Sequence, residues 1–170
     1  MIIAIVYNSE TGYTKKYAEM LSESINLPMF NIEDAKKLLK KGSEIIFMSW
    51  VKNAKLQNYN QVARYFVPKM VAVVGLDNLN QNQQLFFKGQ NNIECNKLYF
   101  LKGGIDLEKL NYINRQKVET YTKKLKDKYL KTGDVSTEDY EFVEMLEKGG
   151  SYLDKKYLKN LIVEFKKENV

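Results

Sequence analysis

The clearest candidate for chemistry is a short polar stretch that follows the first apolar run of the sequence. After "MIIAIVY" comes "NSETGYT", in which Ser9, Thr11 and Thr14 offer hydroxyl groups and Gly12 lets the backbone approach a ligand closely. The residues that follow have helical apolar spacing, so the N–H groups of a helix N-terminus and its positive dipole end would lie here. This combination is typical of a phosphate-binding site. The alternative is that Ser9 or Thr11 only caps the helix.

The composition excludes several other kinds of site. The 170 residues contain no histidine and a single cysteine, Cys95. A Ser/His/Asp triad, a Cys/His pair, a histidine-based metal site and an internal disulfide are therefore excluded, and Cys95 is predicted to be structural. Neither the glycine-rich dinucleotide fingerprint nor the GxxxxGK[ST] phosphate loop is present, so a dinucleotide or a nucleoside triphosphate is not expected as the ligand.

The rest of the chain alternates between predicted strands and predicted helices. The run "IIAIV" has no polar alternation, which is typical of a strand buried on both faces of a parallel sheet. The predicted strands are 2–6, 29–32, 44–50, 70–74 and 97–101, and the predicted helices are 17–25, 33–41, 58–66, 113–129 and 158–165, with a long loop before the fifth strand. This order predicts a doubly wound α/β fold, a five-stranded parallel sheet with helices on both faces, in one domain over residues 1–170. The last two helices are predicted to face the core.

A ligand of such a sheet lies outside the carboxyl ends of the strands, where the strand order reverses. The stretch from Ser9 to Thr14 follows the first strand and is therefore at that edge. Its position favours a phosphate-binding loop over a simple helix cap.

The segment "SETGYT" resembles the phosphate loop [ST]-x-T-G-x-T of the flavodoxin-like FMN-binding family. The resemblance implies FMN as the cofactor and the strand order 2-1-3-4-5. It also implies that Ser9, Thr11, Gly12 and Thr14 bind the phosphate, with Glu10 and Tyr13 contributing backbone amides. Near the end of the chain, "KLYFLKGGIDLEKLNYINRQKV" and "GGSYLDKKYLKNLIVEF" are similar to the group of this family that includes the menaquinone-dependent protoporphyrinogen oxidases.

In flavodoxin-like proteins the loops after the third and fourth strands enclose the flavin ring. By this resemblance the predicted ring-binding residues are Ser49, Trp50, Val51, Lys52, Asn53 and Ala54 in the first loop, and Gly75, Leu76, Asp77 and Asn78 in the second. Trp50 is predicted to stack on the ring, and Lys52 and Asn53 to donate hydrogen bonds near it. The alternatives are that Trp50 caps the core and that residues 75–78 form an ordinary turn. The first loop lacks the glycines that are common in the family, which indicates a changed backbone path or weaker binding of the ring.

The charge distribution bears on possible partners. The net charge is +6, and residues 97–131 alone hold ten Lys or Arg against four Asp or Glu. A solvated helix face is the favoured interpretation, and nucleic acid is not the expected partner. The basic surface suggests either an acidic redox protein or a quinone at an anionic membrane surface. No apolar run is long enough to span a membrane and the first residues do not resemble a signal peptide, so a cytoplasmic protein is expected.

The sequence therefore predicts an FMN-binding redox protein, and it does not decide whether this is an electron carrier or an enzyme. Two alternatives stay open. One is a flavin-dependent oxidase of a porphyrinogen-like or quinol substrate, and the other is a flavin-free binding module on the same fold.

Overall fold

The computed structural model describes residues 1–76 and 79–168. The chain divides into two compact units, one made of Met1–Gly103 and Leu153–Val170 and the other of Gly104–Tyr152. The single domain predicted over residues 1–170 stays a prediction. Within the described residues, no helix is both long and apolar enough to cross a membrane.

The elements of the first unit alternate between strand and helix, as predicted. They are β1 (Ala4–Tyr7), α1 (Tyr13–Ile25), β2 (Met29–Asn31), α2 (Ile32–Leu38), β3 (Glu44–Lys52), β4 (Lys55–Leu56), α3 (Tyr59–Ala63), β5 (Val67–Gly75), α4 (Gln81–Gln90), β6 (Leu98–Lys102), a 3-10 turn (Lys155–Leu158) and α7 (Lys159–Glu168). The second unit contains β7 (Gly104–Ile105), α5 (Tyr112–Thr132), α6 (Thr137–Lys148) and β8 (Gly150–Ser151).

The parallel sheet has the order β2-β1-β3-β5-β6, and the short β4 pairs antiparallel with the end of β3. Counting only the five parallel strands, this is the predicted order 2-1-3-4-5. The doubly wound α/β fold is therefore confirmed. The central strands are buried on both faces because each face carries helices: Ala4, Ile5 and Val6 in β1 are all fully buried.

Each face of the sheet carries its own apolar core. On one face, Tyr17 and Leu21 of α1 pack with Leu161 and Phe165 of α7 against strand residues such as Met48. On the other face, α2, α3 and α4 pack against alternate strand residues, among which Phe47 is fully buried. Phe47 and Met48 belong to opposite cores because successive side chains of a strand point to opposite faces of the sheet.

Three expectations from the sequence are wrong. The long loop predicted before the fifth strand contains α4, which buries only Phe87 and leaves Leu85 and Phe86 exposed. The helix α6 was not predicted at all. The third correction concerns α5, whose only buried residue is Thr122, whereas Ile113 and Tyr121 are 64% and 45% exposed. That helix does not bury the apolar residues that were predicted to face the core.

Candidate functional site

The carboxyl ends of four parallel strands meet at one edge of the sheet. β1 ends at Tyr7, β3 at Lys52, β5 at Gly75 and β6 at Lys102, and all four run in the same direction. The segments that leave these strands therefore lie along one edge. They include the hydroxyl-rich loop, the first predicted ring loop, Leu76 of the second, and Gly103.

The loop between β1 and α1 is built around Gly12. This residue has φ +99°, in the left-handed region, and a Cβ added to it would meet nothing within 4 Å. The space beside its Cα is open to a ligand. The N–H group of Gly12 donates to Ser9 Oγ at 3.2 Å, so the serine hydroxyl holds the turn while its own O–H stays available as a donor.

The first turn of α1 suits an anion. Gly12 is the N-cap residue and has no side chain with which to cap the helix, and the first turn contains no acidic residue. The positive dipole end of a 13-residue helix is therefore not offset by a carboxylate at its start. Thr14 lies in this turn and is only 2% exposed, whereas Ser9, Thr11 and Tyr13 are half-buried and Glu10 is exposed. The predicted phosphate-binding residues are thus together at one helix N-terminus.

Ser49 connects this loop to the third strand. Its hydroxyl donates to the Gln57 carbonyl oxygen at 2.8 Å and accepts from Asn8 Nδ2 at 3.2 Å, and the residue is fully buried. The Asn8 N–H also donates to the Met48 carbonyl at 2.9 Å. The Ser49 hydroxyl therefore links Asn8, which follows β1, to Gln57, which follows β4. The predicted contact of Ser49 with a ligand stays a prediction. Sequence reasoning missed Asn8 and Gln57, because an amide gives no signal of which distant hydroxyl it meets.

The predicted loop after the third strand is mostly strand. Residues Ser49, Trp50, Val51 and Lys52 belong to β3, which turns back through Asn53 and Ala54 into β4. The loop prediction is wrong here because two residues with positive φ close a tight hairpin, with φ +52° at Asn53 and φ +57° at Ala54.

A buried asparagine at the end of α4 holds this hairpin. Asn91 is 5% exposed, and its Oδ1 accepts the Leu56 N–H at 2.8 Å while its Nδ2 donates to the Ala54 carbonyl at 3.1 Å. Both bonds reach residues more than thirty positions earlier in the chain. Asn91 was missed from the sequence, because nothing in "QNNI" distinguishes it from the neighbouring Asn92.

Trp50 is the residue of this hairpin with an unused hydrogen-bond donor. Its indole Nε1 is buried and finds no partner among the described residues. A buried N–H without a partner costs about 1 to 3 kcal/mol, so such groups usually have an acceptor. The Lys52 ammonium lies 6.0 Å from the centre of the Trp50 ring. A ligand with acceptor atoms at this edge would give the indole N–H its missing partner.

The end of β5 lies directly beside the hairpin. A Cβ placed on Gly75 would be 4.0 Å from Val51 Cγ2, and the Gly75 carbonyl accepts the Gly103 N–H at 2.7 Å. A Cβ on Gly103 would be 2.9 Å from Val74 Cγ1, so any other residue here would require the Val74 side chain to shift. Leu76 follows Gly75 at this edge. Asp77 and Asn78, the other two predicted ring-binding residues, lie outside the described residues.

Tyr17 fixes α1 to the same edge. Its hydroxyl donates to the Lys102 carbonyl at 2.5 Å and accepts the Asp154 N–H at 3.3 Å. Burial raises the pKa of the Tyr17 phenol from 10.0 to about 12, although the Asp154 N–H opposes this shift. The neutral phenol is therefore the form that positions the phosphate-loop helix.

The remaining reactive groups lie elsewhere. The Cys95 thiol donates to the Lys69 carbonyl at 2.7 Å, near the start of β5 and so at the amino edge of the sheet. Burial raises the pKa of this thiol, which disfavours the reactive thiolate and agrees with a structural role. Among the described residues, no group of three or more Cys, Asp or Glu side chains is arranged to hold a metal ion.

Comparison with known proteins agrees with this geometry. The flavodoxin domain family matches residues 4–132, more than half of the chain, and the match runs from β1 to the end of α5. Domains of this family generally bind FMN. No curated protein matches the chain. On the strength of the match and the strand order, the chain belongs to the flavodoxin domain family.

Proposed function

We propose that this protein binds one FMN at the carboxyl edge of the sheet and transfers electrons through it. The observation that carries the proposal is the N-terminus of α1, where Gly12 at φ +99° opens a helix that has neither a side-chain cap nor an acid in its first turn. A phosphate dianion is the natural partner of such a terminus. The family match supports the same cofactor.

The roles of the residues follow from their positions. The amides at the start of α1 and the hydroxyls of Thr11 and Thr14 would hold the phosphate. The β3–β4 hairpin and the segment from Gly75 would lie against the ring. Trp50 would donate its indole N–H to a ring acceptor, and the Lys52 ammonium would favour extra electron density on the nearby ring. When bound, FMN accepts and releases one or two electrons, which is the chemistry that the side chains of this edge do not supply.

The test is a flavin reconstitution. The purified protein is mixed with excess FMN, passed through a desalting column, and examined by its absorption spectrum for flavin at about one per chain. FAD is expected to be retained more weakly, because the chain has no dinucleotide fingerprint for its adenylate. Bound flavin that is reduced and reoxidised reversibly supports the proposal. A protein that retains no FMN would be the flavin-free module instead.

One observation favours a second candidate function, an FMN-dependent oxidase. The second unit has a groove of about 450 Å³ between α5 and α6. Its lining includes the apolar Leu107, Val118 and Leu146, the basic Arg115 and Lys123, the acidic Glu119, and the ion pair of Lys126 with Glu147. That volume is in the range of small-molecule sites. An apolar substrate with acidic groups, such as a porphyrinogen-like molecule, would fit this lining. Flavin reduction by such a substrate, absent in an electron carrier, would distinguish the two functions.

The partner of a carrier is also a proposal. The basic charge favours an acidic redox protein or a quinone reached at an anionic membrane surface.

A further inference from the structure

The structure separates the lysines of α5 into two groups with different surroundings. Lys126 forms an ion pair with Glu147 of α6, and Lys123 lines the groove beside it. Lys117, Lys124, Lys128 and Lys131 are all exposed, and within the described residues none of them forms an ion pair. We call these four residues the lysine row.

The lysine row lies on one face of α5. With 3.6 residues per turn, positions 117, 121, 124, 128 and 131 line up along the helix. Each of the first four lies one position before a buried or half-buried residue of α5, namely Val118, Thr122, Leu125 or Tyr129. The lysine row is therefore rotated by about a quarter turn from the seam that packs within the second unit. It extends for about 21 Å along the helix.

Exposed apolar side chains accompany the lysines on this face. Tyr121 lies within the row and is 45% exposed, and Ile113 lies one turn before it and is 64% exposed. Of the two acidic residues of α5, Glu119 lies on the opposite side of the helix, whereas Asp127 is three residues after Lys124 and four before Lys131 and so borders the row. The face thus combines four exposed lysines with apolar side chains, with Asp127 at its border. The hydrogen bond of Ser136, and to a lesser extent the charge of Lys128, lowers the pKa of Asp139 in α6.

We infer that this face docks on the surface of an anionic lipid bilayer. Lysine is a hydrated point charge that suits a diffuse anionic surface, whereas the planar fork of arginine is preferred where a phosphate is bound by two parallel hydrogen bonds. Lysine is also depleted at the centre of protein–protein interfaces, where aromatic residues and arginine are enriched. The lysines lie in a straight row, with Tyr121 within the row and Ile113 beside it. Such an arrangement can contact a flat layer of anionic headgroups along its whole length. Docking deepens the membrane-surface alternative of the proposed function, and its test does not depend on flavin.

The test is co-sedimentation of the full chain with lipid vesicles. The protein is expected to bind vesicles with about 30% phosphatidylserine, not to bind pure phosphatidylcholine, and to be released at high salt. A variant with Lys117, Lys124, Lys128 and Lys131 all replaced by glutamine should bind at least about a hundredfold more weakly, because each lysine near such a surface contributes roughly a factor of five.

A matched control variant separates the effect of the lysine row on vesicle binding from the effect of the protein's net charge. Lys40, Lys41, Lys159 and Lys166 are exposed lysines of the first unit, and replacing all four by glutamine changes the charge equally. This control should keep most of the binding, and circular dichroism melting should show that both variants fold. An equal loss of vesicle binding in the two variants would overturn the inference. So would a parent protein that does not bind anionic vesicles at low salt. Tighter binding to polyuridylate than to the vesicles, lost in the row variant, would assign the face to nucleic acid instead.

Discussion

Among single residues, those of the loop from Ser9 to Thr14 matter most for the proposed phosphate site. The geometry gives its hydroxyls different roles, since Ser9 Oγ accepts the Gly12 N–H and Thr14 is almost fully buried. The expected phosphate contacts therefore rest most directly on Thr11, Thr14 and the amides at the start of α1.

Replacing either threonine by alanine should weaken FMN binding. Each of Thr11→Ala and Thr14→Ala removes a hydrogen bond to a charged group, which costs about 1.5 to 3 kcal/mol of binding free energy. Riboflavin, which has no phosphate, should bind both variants as it binds the parent. Flavin fluorescence quenching measures both affinities.

The exposed Thr120 of α5 supplies the control for this pair. Thr120→Ala should leave FMN affinity unchanged, and thermal melting of Thr14→Ala will separate a loss of ligand contact from a loss of packing at this buried position. If Thr11→Ala and Thr14→Ala both bind FMN like the parent, the hydroxyls act only as local caps.

The site residues that follow one another in the chain were predictable, and those brought together by the fold were not. Ser9 to Thr14 form a contiguous motif after a strand, so the sequence locates them. Three other residues of the site make hydrogen bonds to groups far away in the chain, namely Asn8 and Asn91 through their side-chain amides and Gln57 through its backbone carbonyl. Neither kind of group indicates in the sequence which distant partner it will have.

At the scale of elements, the β3–β4 hairpin is the part of the site that differs most from expectation. A two-residue hairpin loop with positive φ at both positions is usually Asn-Gly, and here it is Asn53-Ala54. Alanine in the left-handed region is strained by about 1 to 2 kcal/mol.

Ala54→Gly should therefore raise the free energy of unfolding, by up to about 1 kcal/mol after the added flexibility of the unfolded chain is counted. The control is Ala63→Gly, at an exposed helical position of α3, which should lower the free energy of unfolding by about 1 kcal/mol. Urea denaturation gives both values. A destabilised Ala54→Gly would mean that the hairpin does not have this backbone conformation.

The attachment of α1 to the sheet edge gives a pH-dependent prediction. Tyr17→Phe leaves the Lys102 carbonyl and the Asp154 N–H without their partner, so the free energy of unfolding should fall by about 1 to 3 kcal/mol near neutral pH.

Because the Tyr17 pKa is raised in the folded protein, its contribution is fully present below the ordinary pKa of 10.0 and is lost as the pH rises toward about 12. The difference between parent and Tyr17→Phe should therefore shrink in urea denaturation at about pH 11. A difference that stays constant or grows at alkaline pH would contradict the assignment of the buried phenol.

Elements with a clear apolar period were predicted, and the others were not. β1, β3 and α1 bury most of the apolar residues on which their prediction depended, whereas Ile3 is 41% exposed and Trp50 and Ile25 are half-buried. In contrast, α4 has the sequence "QNQQLFFKGQ" and buries one side chain, so its apolar period is too weak to find. The capping box between Ser136 and Asp139 was a local signal for α6, and it lies before the buried Val143 and Leu146.

At the scale of the whole molecule, the parallel sheet and its strand order followed from the alternation of strands and helices, whereas the division of the chain into two units did not. The segment Gly104–Tyr152 follows β6 without a linker rich in glycine and proline, so composition does not mark its start. The sequence likewise does not indicate the different surroundings of four lysines in α5, which are Lys123, Lys124, Lys126 and Lys128. They are close in sequence, and the helix distributes them between the groove and the exposed row.

The central claim is that the sheet edge recognises the phosphate of FMN, and a comparison of FMN with riboflavin tests it most directly. In a fluorescence titration of the unmodified protein, FMN should bind roughly a hundredfold or more tightly than riboflavin, because two or more charge-assisted hydrogen bonds depend on the phosphate. Gly12→Ala should reduce this ratio, since an alanine at φ +99° strains the loop that forms the phosphate site. Equal affinities of the unmodified protein for FMN and riboflavin would contradict the claim.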